Sequence, residues 1–266
     1  MLARQRQAAI LDRVRTEGGV RVTELAAEFG VSDMTIRRDL ETLHEQGLLA
    51  KVHGGATLAG PGSTDEPGFR AKSVRQSAEK AAIAARAAQL VRPGAAIALS
   101  AGTTTAELAR RLVDVPGLTV VTNSLPVAEI LHVGGGPDQT VVLTGGVRTP
   151  SDALVGPLAV AAIDALHLDV LFLGVHGISE RAGFTTPNLM EADTDRALVA
   201  AADRLVVLAD HTKWGTVGIS SIVPLAAADV LVTDDQLAPD ARRVLDEKVG
   251  ELVVVSGTGR ATEEAE

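Results

Sequence analysis

The stretch Ser32-Asp-Met-Thr-Ile-Arg-Arg-Asp-Leu40 decides the fold at the N-terminal end of this 266-residue chain. Its first residue suits a helix cap, and the carboxylate that follows suits the positive end of a helix dipole. At about 100° per residue, Ile36, Leu40 and Leu43 share one face, which we predict to pack on a core. A short amphipathic helix precedes this one and ends at Gly30. The pattern therefore predicts a helix-turn-helix.

The outer face of the second helix carries the residues suited to contact DNA. Met34 and Arg38 lie opposite the core face, with Thr35 and Arg37 on its flanks. Acidic residues one and two turns further on would be repelled by phosphates. We therefore expect only the N-terminal half of this helix to enter a groove, as recognition helices do. Composition and spacing alone leave equally open that the three-helix module contacts protein, or that the Arg pair lies on a helix face that only water contacts.

A hairpin is predicted after this helix, because apolar runs at 48–52 and 56–58 flank His53-Gly-Gly55. Lys51 and His53 lie on that hairpin, where they can reach DNA as a wing. The candidate DNA contacts are Ser32, Met34, Thr35, Arg37, Arg38, Lys51 and His53.

The charge of the chain argues against DNA binding only until its distribution is considered. The net charge is -9, with 25 Lys+Arg against 34 Asp+Glu. Residues 1–57 carry equal numbers of acidic and basic side chains, so the whole excess lies beyond them. A step of this kind predicts two modules with different partners.

Composition also excludes several classes of protein. There is no Cys, which rules out disulfide scaffolds and Cys-based zinc sites. Neither a signal sequence nor an apolar run of about 18–20 residues is present, so we expect a cytoplasmic protein without a membrane partner. No spacing predicts a metal, a cofactor or a catalytic residue.

The remainder of the chain alternates short β-rich runs with helical stretches, which predicts a mostly parallel sheet covered on both faces. The predicted fold class is α/β, with a winged helix-turn-helix before it. We predict a DNA-binding domain at 1–57, a Gly- and Pro-rich linker at 58–72, an effector-sensing and oligomerisation domain at 73–258 and a polar tail at 259–266.

Three polar or Gly-rich loops follow strands of this predicted sheet, at the edge where ligands bind in open parallel sheets. The loop at 100–105 precedes a helix, so its Gly and Thr residues could cradle a phosphate or simply turn the chain. Asp210-His-Thr-Lys213 follows another strand, and its two charges could form a solvated ion pair or contact a ligand. The candidate effector contacts are Gly102, Thr103, Thr104, Asn123, Gly145, Gly146, Asp210 and Lys213.

Both halves of the chain resemble the DeoR family of bacterial transcriptional regulators. The resemblance is carried by the stretch at 32–40, by Gly47-Leu-Leu-Ala-Lys-Val-His-Gly-Gly-Ala56, and by landmarks that include Glu79-Lys80, Gly102-Thr-Thr104 and Ala209-Asp-His-Thr-Lys213. It implies a sensor similar in fold to ribose-phosphate isomerases and glucosamine-phosphate deaminases. It also implies that Ser32, Thr35, Arg37 and Arg38 contact operator DNA, that the Gly-Thr-Thr loop cradles phosphate, and that Asp210 and Lys213 contact the ligand. The chain departs from the family pattern at Ser100, Ala101, Val175 and His176.

The function expected is that of a non-enzymatic repressor of a sugar or polyol operon, bound to double-stranded operator DNA as a dimer or tetramer. A phosphorylated sugar would release it. Two alternatives remain: an enzyme like a sugar-phosphate isomerase or deaminase, and a regulator whose sensor domain only oligomerises.

Overall fold

The computed structural model describes residues 3–17, 19–45, 49–52, 55–58 and 68–256, and the chain divides into two compact units, Met1–Gly62 and Ser63–Glu266. His53, most of the predicted linker and the predicted tail at 259–266 lie outside the described residues. Within the described ranges, no helix is both long enough and apolar enough to cross a membrane.

The first unit is a winged helix-turn-helix. In chain order its elements are α1 (Ala3–Glu17), β1 (Gly19–Arg21), α2 (Val22–Phe29), α3 (Asp33–Glu45), β2 (Leu49–Val52) and β3 (Gly55–Leu58). The predicted helices and hairpin are confirmed. Ile36, Leu40 and Leu43 of α3 are buried against α1 and α2, as their spacing predicted.

Strand β1 was not predicted, and it makes the wing a three-stranded antiparallel sheet in the order β1-β3-β2. Its presence explains the glycine that begins β3. A Cβ on Gly55 would lie 2.0 Å from the carbonyl oxygen of Val20, so any side chain there would push β1 away. A three-residue strand is too short for its alternation to be recognised from sequence.

The second unit contains seven helices and twelve strands among the described residues. The helices are α4 (Phe69–Ser73), α5 (Ser77–Ala88), α6 (Thr103–Leu112), α7 (Leu125–Gly134), α8 (Pro157–Ile163), α9 (Leu189–Ala201) and α10 (Pro239–Lys248). The strands are β4 (Ala96–Leu99), β5 (Thr119–Thr122), β6 (Thr140–Leu143), β7 (Val147–Arg148), β8 (Leu154–Val155), β9 (Val170–Gly174), β10 (Gly177–Ser179), β11 (Gly183–Thr186), β12 (Leu205–Leu208), β13 (Ser220–Val223), β14 (Val230–Asp234) and β15 (Leu252–Val255).

Seven of these strands form the predicted parallel sheet, in the order β15-β14-β12-β9-β4-β5-β6. Its central strands are apolar on both faces, because one hydrophobic cluster covers each side. Because the strands are parallel, the carboxyl ends of all seven lie at the same edge of the sheet. The loops that follow the strands are therefore brought together at that edge.

Two helices at the start of this unit were not predicted. Helix α4 begins at Phe69, inside the segment predicted as a linker, and α5 follows it after a short turn. Alanine-rich α5 has a weak hydrophobic pattern. Its buried face consists of Lys80, Ile83, Ala84 and Ala87, so a charged residue occupies a core-facing position.

Candidate nucleic-acid interface and effector site

The start of α3 is fixed by its own side chains. The backbone N–H of Thr35 donates to Ser32 Oγ at 3.2 Å, and the two hydroxyl oxygens lie 2.9 Å apart. Ser32 is therefore the N-terminal cap of α3, as predicted from the sequence. Both hydroxyls are exposed or half-exposed, so they can also face DNA.

Beyond this cap, α3 presents Met34, Arg37 and Arg38 to solvent, and Met34 is 61% exposed. Neither arginine forms an ion pair or a side-chain hydrogen bond with the residues that the structure describes. Their guanidinium groups are thus available for phosphates or base edges, for which Arg has the matching fork of donors.

A buried ion pair holds α3 against α1. Arg6 Nε donates to Asp39 Oδ2 at 2.6 Å, and Gln7 Nε2 donates to Asp39 Oδ1 at 3.0 Å. Both charged side chains are almost fully buried. Sequence reasoning assigned them no role, although the signal was present: Asp39 lies next to Leu40 and three residues after Ile36, on the core side of the helix.

The wing carries the remaining two predicted DNA contacts, Lys51 and His53. Lys51 lies in β2, where its backbone pairs with Ala56 of β3. The Lys51 side chain and all of His53 lie outside the described parts of the chain, so their predicted DNA contacts stay predictions.

At the sheet edge of the second unit, the loops after β4, β5 and β9 are joined by hydrogen bonds. Gly174 N donates to Ser100 Oγ at 2.9 Å, and Ala101 N donates to Asn123 Oδ1 at 2.9 Å. Asn123 Nδ2 donates in turn to the carbonyl of Leu154 at 3.3 Å. Ser100, one of the departures from the family pattern, therefore fixes the position of the loop.

Asn123 bonds to the backbone of neighbouring loops, and its predicted ligand contact stays a prediction. Its side chain is fully buried, and both ends of the amide bond to backbone groups. This geometry makes Asn123 a residue that positions the loop after β4.

The paired glycines after β6 have a backbone explanation. Gly145 and Gly146 have φ angles of +73° and +121°, which favour glycine. A Cβ on Gly146 would also lie 2.6 Å from the carbonyl oxygen of Val155. These features explain why glycine is needed, and they add no support for a ligand contact.

The N-terminus of α6 has the properties of an anion site. The N–H of Ala106 bonds to the Gly102 carbonyl at 3.1 Å, which leaves the amides of residues 103–105 at the open end of the helix. No described side chain caps this end. Thr103 lines a cleft of about 160 Å³, whereas Thr104 is buried. The cleft is also lined by Phe69 and Ser73 of α4, Ser77 and Lys80 of α5, and the ion-paired Glu107 and Arg110 of α6.

The loop after β12 forms a single turn of 3-10 helix, His211–Lys213. Asp210 is buried; its Oδ1 accepts from the backbone N–H of Thr212 at 3.1 Å, and its Oδ2 lies 3.9 Å from Lys213 Nζ. At that distance the Lys213 ammonium interacts with Asp210 without a hydrogen bond. Trp214 comes next, half-buried and bridged to Ile178 of β10.

A histidine–carboxylate pair lies beside this loop. His211 Nδ1 and Asp234 Oδ1 are 2.8 Å apart, and His211 N donates to Asp234 Oδ2 at 2.8 Å. Asp234 is fully buried. The two residues are 23 positions apart and lie on neighbouring strand ends, so sequence spacing did not reveal the pair.

Lys80 connects the two parts of the candidate effector site. It lines the cleft beside Thr103, and it is close enough to Asp210 and Lys213 for their charges to affect it. Burial lowers the pKa of Lys80 to about 8, although Asp210 acts in the opposite direction; the positive charges of Lys213, Lys72 and Arg75 lower it further. Sequence reasoning gave Lys80 no role, and its charge on the apolar face of α5 was the signal that could have found it.

A winged helix-turn-helix joined to a parallel α/β unit defines the class of two-domain, DNA-binding transcriptional regulators. Within that class, the chain belongs to the DeoR family: residues 6–61 match the DeoR-like helix-turn-helix domain, and residues 75–235 match the DeoR C terminal sensor domain.

Relatives match over nearly the whole chain. A putative aga operon transcriptional repressor of Escherichia coli O157:H7 is 32% identical over 95% of this chain and 94% of that protein. The regulator GlpR of Haloferax volcanii is 35% identical over 98% of this chain and all of that protein. Among solved structures, ribose 5-phosphate isomerase A of Methanocaldococcus jannaschii is 18% identical, with a TM-score of 0.38 over 52% of this chain and 54% of that chain.

Proposed function

We propose that this protein is a repressor that binds double-stranded operator DNA through α3 and is released by a phosphorylated sugar bound in the second unit. The DNA-binding part is carried by one observation. Arg37 and Arg38 are exposed and make no ion pair with the described residues, on a helix that the buried Arg6–Asp39 pair holds in place. The relative named for the aga operon is a repressor by its printed name, which favours the same sign of regulation here.

The effector part is supported by charge and geometry at the sheet edge. Lys80 and Lys213 interact with a single carboxylate, Asp210, so the three groups together favour an anion. The open N-terminus of α6 adds N–H donors and a helix dipole beside the same cleft. A phosphate ester matches both features, and Asp210 can accept from a sugar hydroxyl.

We infer a homo-oligomer from the size of the DNA-reading surface. A single recognition helix covers few base pairs, and a pair of half-sites one helical turn apart multiplies specificity. A dimer is the smallest assembly that provides two helices.

The second candidate function is a sugar-phosphate isomerase or deaminase. The observation that favours it is the His211–Asp234 pair, since a buried carboxylate that orients an imidazole is a common arrangement for a general base. The regulator is preferred because the first unit has no use in such chemistry.

A mobility-shift assay on the DNA upstream of the protein's own gene tests the proposal. Sugar phosphates are added one at a time, and we expect one of them to release the DNA. Lys213→Ala should bind the same DNA and no longer respond, whereas Lys248→Ala, on an exposed helix end, should respond normally.

Two results would contradict the proposal. If the protein binds no upstream fragment, the repressor hypothesis is wrong. If it steadily converts a sugar phosphate and His211→Ala abolishes that conversion, the enzyme hypothesis is favoured.

A further inference from the structure

Helix α4 lies directly beside the candidate effector site. Phe69 and Ser73 of α4 form one wall of the cleft whose other walls contain Lys80 and Thr103. At about 160 Å³ the cleft is small beside the roughly 300–1,000 Å³ of pockets that enclose whole ligands, so it fits one anionic end of a ligand. Helix α4 is also the first described helix after residues 59–67, through which the chain arrives from the DNA-binding unit.

The ammonium of Lys80 holds the end of α4. Lys80 Nζ donates to the carbonyl oxygens of Lys72 and Arg75, both at 2.5 Å. These carbonyls lie at the C-terminal end of α4 and in the turn to α5, and that of Lys72 also accepts from the backbone N–H of Arg75 at 3.3 Å. A buried lysine therefore caps this helix from a position eight residues further along the chain.

The turn that Lys80 caps is strained. Gln76 has a φ of +50°, in the left-handed region that non-glycine residues rarely adopt. Such a residue persists only when the surrounding structure holds it there. The turn is thus an element whose present conformation depends on its contacts.

The same ammonium is exposed to the charges of the effector site. Asp210 attracts it, whereas Lys213, Lys72 and Arg75 repel it. An anion in the cleft would compete with two neutral carbonyls for its hydrogens. The bonds from the ammonium to the carbonyls are already charge-assisted. An anionic acceptor adds the attraction between two full charges, which a neutral carbonyl does not provide.

We propose that Lys80 couples the effector site to α4: it caps α4 in the free protein, and an anionic group bound in the cleft takes its hydrogens and frees α4 and the turn at Gln76. The inference depends on the proposed function for the identity of the ligand. The ligand binds the uncapped state more tightly, because only in that state can all hydrogens of the Lys80 ammonium point to the ligand. A ligand can shift a conformational equilibrium only through such a difference in affinity.

Hydrogen exchange of the full chain tests this link, with inorganic phosphate as the probe. In the absence of phosphate, the amides of residues 69–76 should exchange several-fold faster in Lys80→Met than in the wild type. In the matched control Lys248→Met they should exchange at the wild-type rate. Phosphate at tens of millimolar should raise exchange of the same amides in the wild type and leave the Lys80→Met rates unchanged.

Gln76→Gly provides a second variant, because glycine adopts this φ without strain and leaves Lys80 in place. Its capped state is more stable, so we expect several-fold more phosphate for the same rise in exchange.

The outcomes separate this inference from the proposed function. If Lys80→Met leaves the exchange of residues 69–76 at the wild-type rate, Lys80 does not hold α4 and the inference is wrong. It is also wrong if phosphate slows or does not change exchange in the wild type, or if Gln76→Gly responds to less phosphate. If all rates behave as expected and no sugar phosphate releases DNA, the link stands and the proposed effector fails.

Discussion

Arg38 is the residue whose removal tests the DNA contact most directly, because it is exposed and has no ion-pair partner among the described residues. We expect Arg38→Ala to cost about 1–3 kcal/mol of operator affinity and to leave the melting temperature unchanged. Arg242→Ala, an exposed arginine on α10, is the matched control and should bind as the wild type does. Fluorescence anisotropy with labelled operator measures both; equal affinities would remove α3 from the interface.

Lys80 makes anion binding depend on pH. Its pKa of about 8 means that the ammonium is mostly charged at pH 7 and mostly neutral at pH 9, whereas a lysine at the ordinary value of 10.5 stays charged throughout. Asp210, Lys213, Lys72 and Arg75 are the charged groups that act on it. We therefore expect sulfate, whose charge is constant over this range, to bind more weakly as pH rises through 8.

Thermal shift at several sulfate concentrations measures this dependence. Lys80→Met should lose most of the change between pH 7 and 9. An equal change in the wild type and in this variant would assign the titration to another group.

The attachment of α3 depends on the buried pair between Arg6 and Asp39. Asp39→Asn keeps the shape of the side chain and leaves the Arg6 charge buried without its counter-ion, which costs about 3 kcal/mol or more. We expect the first unit to open more often, with faster amide exchange in α1 and α3 and weaker operator binding. Glu24→Gln, at an exposed position on α2, is the control. Unchanged exchange in α1 would show that the pair does not hold α3.

Which elements could be predicted from sequence depended on how local their determinants are. Helix α3 was found because its cap and its apolar stripe lie within a few residues of one another. The parallel sheet was found because strands buried on both faces are continuously apolar. Strand β1 and helix α5 were missed, since one has three residues and the other buries a lysine and two alanines beside a single isoleucine.

The site was predicted less completely than the fold, for a related reason. The loops after the strands could be placed at one edge, because that follows from parallel topology alone. The contacts of Lys80 with α4, of His211 with Asp234, and of Asn123 with Ala101 join residues that are eight, 23 and 22 positions apart. No local pattern specifies such pairs.

For the whole molecule, the distribution of charge predicts a strong salt dependence. The chain has a net charge of -9, yet residues 1–57 are neutral, so attraction to DNA depends on a few arginines. Each phosphate contact contributes roughly -0.9 to the slope of log affinity against log salt. We expect Arg37→Ala combined with Arg38→Ala to reduce that slope by about 2 for each bound copy, if both contact phosphates. Titrations between 50 and 200 mM salt measure it, with Arg242→Ala and Arg243→Ala together as control. An unchanged slope would place the phosphate contacts on other residues.

Trp214 gives the protein a built-in optical reporter. It is the only tryptophan in a chain that has no tyrosine, so emission excited at long ultraviolet wavelengths comes from one indole. That indole directly follows Lys213 and is half-buried beside the turn that holds Asp210. A change in the wavelength or intensity of the Trp214 emission on adding a phosphorylated compound would therefore report on this loop alone. Ligands can be screened and titrated on the unmodified protein, with neither a dye nor DNA in the cuvette.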